Sequence, residues 1–171
     1  LSSFAKNAPD PSFVIRPDKG AKMSDILAAI NALRVSPKAD MRIEVDADLN
    51  VFIPKKLDPN AGPPKPNPLF LLVEIDGRSN ILLNTQKKGT FPATSNMEQR
   101  LKDIFREREN NGVWLQGTNT TDTTVFIRLA GNMTFENLAE LARTIKRAGS
   151  DNIGLQVDEG IKMVEVELKQ P

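Results

Sequence analysis

The chain has 171 residues, 39% of them hydrophobic and 26% charged, with a formal net charge of +1. That composition supports a packed core of ordinary domain size, and it lacks the strongly basic balance that nucleic-acid binding requires. There is no Cys, His or Tyr. Disulfides, thiolate chemistry, most zinc sites and the Ser–His–Asp and Cys–His triads are excluded with them, so the chain is read as non-enzymatic, with no catalytic residue, cofactor or metal.

No apolar run reaches the roughly 18 residues that mark a membrane span. A chain that opens on Leu1 rather than Met is expected to be a mature or excised piece, with an anchor upstream. Residues 1–12 form an extended lead-in. "FVIR" (13–16) is a β-branched and aromatic run, a strand, and "PDKGAK" turns the chain. Ser24 is placed to N-cap a helix, and Asp25 suits its first turn. Ile26, Leu27, Ile30 and Leu33 share one helical face. "MRIEV" (41–45) alternates as a half-buried strand, and "NVFIP" extends it or pairs back after "DADLN".

Residues 54–68, "PKKLDPNAGPPKPNP", hold six of the 12 prolines. Such a stretch favours polyproline II and is read as a stiff linker in preference to an SH3-type ligand. After it, "LFLLVEID" (69–76) and "NILLNTQ" (80–86) flank the turn "GRS" as a β-hairpin. Ser95 and Glu98 make a capping-box pattern that opens a helix carrying Met97, Leu101, Ile104 and Phe105 on one side. A strand (124–128), a helix (135–147) with Gly149 just past its end and a strand (153–158) follow. "EG" then turns into a last alternating strand, "KMVEVELK".

A shift of 112 residues superposes 13–46 on 125–158 without a gap. Ile15 meets Ile127, Arg16 meets Arg128, Leu33 meets Ile145, Ile43 meets Leu155 and Val45 meets Val157. Identities are few, but helix and loop lengths are equal, which points to duplication. The chain thus reads as the back half of one unit followed by a full one. A lone strand–helix–strand piece cannot bury both faces, so the first must pack on the full unit or on another chain.

"VFIRLAGNMTFENLAELARTIKRAGSDNIGLQVDE", with its "PLFLLVEIDGRSNILLN" hairpin, resembles the periplasmic domain of the ExbD/TolR biopolymer-transport family. The first copy, "FVIRPDKGAKMSDILAAINAL", is nearer still to that family's "IRADK" strand, with Arg16, Asp18 and Lys19 matching. Together the two copies bring the resemblance to about 150 residues. It departs at Met23 and Phe135, where the family usually has a Tyr, and at Ala130, where the first copy has Asp18. The family's transmembrane helix, with its essential acidic residue, is not in this chain, so the proton-linked step falls on no residue here.

The fold expected is α+β: a small sheet with helices on one face, as a ββαβαβ unit (69–171) preceded by an extra βαβ element (1–53). The resemblance implies a non-enzymatic, periplasmic domain of a proton-motive-force-coupled energy-transduction or transport complex, anchored to the inner membrane in the parent protein. It implies a homodimer, an ExbB/TolQ-like membrane partner, and a TonB/TolA-like protein or peptidoglycan beyond it. Partner contacts are expected from Arg16, Asp18 and Lys19 in the loop at 17–22, and from Arg128 and Asn132 in the loop at 129–134. Further contacts are expected from Met163, Val164 and Val166, through sheet-edge pairing of 161–168. The alternative is a peptidoglycan- or envelope-binding module outside motor coupling. A small-molecule sensory domain and an enzyme come after it.

Other residues fit plainer roles. Arg16 and Arg128 also suit strand ends with local carboxylate partners. Glu44, Asp46 and Asp48 alternate along a strand and splay in a row, a solvated face rather than a hard-cation site. Trp114, the single tryptophan, fits either a partner anchor or a core residue.

Overall fold

The computed structural model describes residues 10–34, 38–56, 58, 60–62 and 67–157. In chain order the elements are β1 (Ser12–Ile15), α1 (Met23–Leu33), β2 (Asp40–Asp46), β3 (Leu49–Ile53), β4 (Leu72–Ile75), β5 (Asn80–Leu83), β6 (Gln86–Thr90), α2 (Ser95–Asn110), β7 (Thr124–Leu129), α3 (Phe135–Arg147) and β8 (Asn152–Leu155). The fold is α+β, as expected. Among the described residues the strands form one mixed sheet of eight, in the order β1-β2-β3-β8-β7-β4-β5-β6.

Period-2 alternation decides which side of each strand is buried. Met41, Ile43, Val51, Ile53, Val73, Ile75, Val125, Ile127, Ile153 and Leu155 point to one face. They join Met23, Ile26 and Ile30 of α1, Met97, Leu101 and Phe105 of α2, and Leu138, Leu141 and Ile145 of α3 in a single core cluster. Each such side chain, fully buried, contributes about 1.5–3 kcal/mol. The core runs without a break across the expected boundary between the first element and the full unit. The first copy packs on the second by continuing its sheet.

The five-strand stretch β1-β2-β3-β8-β7 is symmetric about β3. The pair β1–β2 is parallel, and so is its counterpart β7–β8. Strand β3 runs antiparallel to β2 and parallel to β8. The two copies therefore run in opposite directions on either side of β3, the arrangement of an isologous pair within one chain.

The structure adds a strand to the expected hairpin. Asn84 and Thr85, at φ 44° and 73°, turn the chain from β5 into β6. Strand β6 carries Lys87 and Lys88 at the sheet's edge, so it lacks the apolar alternation that marks a half-buried strand. Two helix starts also differ from expectation. Helix α1 has Lys22, not Ser24, at its N-cap, and α2 has Thr94, not Ser95. Neither N-cap residue makes a side-chain cap hydrogen bond. In α2, Glu98 is drawn instead into ion pairs with Lys102 at 2.9 Å and Arg147 at 3.4 Å.

Candidate functional site

The loops after β1 and β7 meet. The Met23 N–H donates to Met133 O (2.8 Å) and the Ser24 N–H to Gly131 O (3.1 Å). In return the Phe135 N–H donates to Ala21 O (2.8 Å) and the Glu136 N–H to Lys19 O (3.1 Å). Exchanging every residue for the one 112 positions away maps the first two bonds onto the last two. Lys22 and Thr134, equivalent in the duplication, form an antiparallel bridge at the centre. A helix leaves its first N–H groups without internal partners. Here each copy supplies the carbonyls that cap the other's helix, which is why α1 needs no side-chain cap. Helix α3 has one in addition, a reciprocal Thr134–Asn137 capping box.

This clasp uses both loops from which partner contacts are expected, but through main-chain atoms. The side chains of Asp18, Lys19 and Asn132 remain exposed. Arg16 and Arg128 each reach a glutamate on the neighbouring parallel strand, Glu44 at 3.0 Å and Glu74 respectively. The structure thus brings the two loops to one junction, with the charges of Arg16 and Arg128 held by neighbouring glutamates. Met163, Val164 and Val166, and the whole of 161–168, lie outside the described residues.

Beside the clasp the two halves of the sheet meet at β3 and β8. Strands β3 and β8 share a single paired position, Phe52↔Gly154. Ion pairs reinforce the seam from the helix side. Arg143 donates twice to Asp46, at 2.9 Å in each bond, and the Lys146 ammonium donates to the Asp48 carboxylate at 2.9 Å. The hydrogen bond from Arg143 holds the Asp46 carboxyl below its ordinary value, and that from Lys146 does the same for Asp48. The Asp46 hydrogen bond in turn raises the Arg143 guanidinium. The acidic row of β2 and its turn is therefore a set of ion-pair partners.

At the far end of α2, Arg108 is 6% exposed. It donates to Asp122 O at 2.9 Å and to Leu69 O. Burial pushes its guanidinium below the ordinary value, against a smaller opposing effect of Asp122. Arg108 ties down the base of a short hairpin in which Trp114 bridges Thr121. Trp114 is 51% exposed, which decides its reading in favour of the surface.

Sequence reasoning missed three features here: the reciprocal capping, the Arg108 tie, and the cluster of Phe52, Phe70 and Phe126 over Gly154. The last had a signal, since Phe52 and Phe126 both sit at outward positions of alternating strands. No protein-family model, no curated protein and no solved structure matches the chain.

Proposed function

We propose that the chain is a non-enzymatic, ExbD/TolR-like domain on the periplasmic side of a proton-motive-force-coupled energy-transduction or transport complex, working by pairing and partner binding. The observation that carries this is the reciprocal clasp. By resemblance, such domains pair as dimers, and here two equivalent strand–helix units grip one another through symmetric main-chain bonds. Part of the family's pairing is thereby met inside one chain. A second copy adds at an outer strand, β1 or β6, where one edge has no neighbour among the described residues.

Among the described residues, no helix is long and apolar enough to cross a membrane. An ExbB/TolQ-like partner is engaged through a membrane anchor of the parent protein. The partner beyond is a TonB/TolA-like protein or the peptidoglycan wall, and two captures with the immobilised chain separate them. The proposal expects retention of a TonB-like periplasmic peptide and none of purified sacculi. Retention of sacculi with no capture of the peptide overturns motor coupling in favour of an envelope-binding module.

A further inference from the structure

The sheet face away from the helices carries an apolar row that runs across the strands. By strand register Val14, Arg42, Phe52, Gly154, Phe126 and Leu72 lie side by side on six neighbouring strands. Phe126 stands edge-on to Phe52 at 5.6 Å and stacks on Phe70 at 5.0 Å. Six strands at about 4.8 Å spacing make a row roughly 24 Å long, the span of about seven extended residues.

Two polar groups on this face, Gln156 and Arg42, bear on what it binds. Gln156 continues the β8 ladder, donating its N–H to Ile127 O at 2.8 Å, and alternation puts its side chain on the same face as Gly154. It is 6% exposed, yet neither its Oε1 nor its Nε2 has a hydrogen bond. A primary amide presents one donor and one acceptor side by side, the complement of a peptide group. The second is Arg42. The other cations nearby are matched: Arg16 by Glu44, Arg128 by Glu74, Lys55 by Asp40. Arg42 is exposed and has no carboxylate partner among the described residues. It lines, with Phe52, two concavities of about 430 and 370 Å³.

We infer that this face receives an extended polypeptide with acidic side chains. Its main chain pairs with the Gln156 amide, its apolar side chains rest on the phenylalanine row, and a carboxylate meets Arg42. A second copy is a poorer occupant, because Asp40, Glu44, Glu74 and Asp48 are already paired, which leaves Asp151 alone among the carboxylates at these concavities. The inference rests on the partner-binding reading above and specifies the partner's chemistry.

The test is fluorescence anisotropy of the whole chain with a labelled nonapeptide alternating Val and Glu, against one alternating Val and Lys. The acidic peptide is expected to bind at least tenfold tighter. Arg42→Ala should weaken it about tenfold. Gln156→Leu should weaken binding while raising Tm by a few degrees, because it removes a buried unpaired amide; a merely structural Gln156 would leave binding unchanged. Equal binding of the two peptides, or no effect of Gln156→Leu on binding, overturns the inference. So does sedimentation that shows a dimer lost in Arg42→Ala with no peptide bound to the parent chain. The outcomes separate this inference from the function it rests on. Acidic-peptide binding with no capture of a TonB-like peptide removes motor coupling and leaves the face. Capture indifferent to Arg42→Ala and Gln156→Leu does the reverse.

Discussion

At Gly154 a hydrogen atom stands where any other residue has a Cβ, and two aromatic rings occupy the space. A Cβ there would lie 2.7 Å from Phe52 Cζ and 2.8 Å from Phe126 Cε1. The glycine thus carries the one register position that joins β3 to β8, with the rings closing over it. Gly154→Val is expected to destabilise the protein by about 1–3 kcal/mol as the rings are forced aside. Urea unfolding followed by circular dichroism checks it, and an unchanged midpoint would remove the packing role. The acidic residues at 44, 46 and 48 teach the complementary lesson. Their spacing shows a polar row, but their cations lie on other elements: Arg16 after β1, and Arg143 and Lys146 on α3. Alternation along one strand says nothing of what packs against it.

Between elements, the telling contact is the clasp. Its bridge at Lys22 and Thr134 is of the antiparallel kind in which the bonds flank the pair, where Cα atoms lie about 4.5 Å apart. That spacing suits a disulfide. The chain has no cysteine of its own, so Lys22→Cys with Thr134→Cys creates an unambiguous probe. The oxidised double variant is expected to stay monomeric on a non-reducing gel and to gain up to about 4 kcal/mol, reversed by reductant. A covalent dimer instead would show that the clasp forms between chains. The same element scale explains the sequence's partial legibility. The apolar faces of α1 and α2 were readable from spacing, because burial follows the 3.6-residue period. The starts of α1 and α2 were not, while that of α3 at Phe135 was. A backbone carbonyl can cap a helix, and a carbonyl from a distant loop leaves no mark in local composition.

At the scale of the molecule, β1 to β3 with α1 and the elements from β4 to β8 share one sheet and one core among the described residues. The hairpin of β2 and β3 carries Met41, Ile43, Val51 and Ile53 into the same cluster as Leu138, Leu141 and Ile145 of α3. A strand–helix–hairpin fragment alone leaves such a face open to water. Residues 1–53 expressed alone are therefore expected to remain unfolded by circular dichroism, while the whole chain unfolds in one transition. Two transitions in the whole chain, or a folded fragment, would show the halves to be independent. What the sequence by itself determined was the identity of most elements, the matched layout of 13–46 and 125–158, and the buried faces of α1, α2 and β2, because those follow from local periodicity and turn chemistry. What only the tertiary structure decided was how the copies meet: end-to-end symmetry at the helix starts, ion pairs across the seam, and a glycine roofed by two rings. All three join atoms far apart in the chain, and the clasp uses main-chain groups common to every residue, so local spacing left a trace only of the two outward phenylalanines.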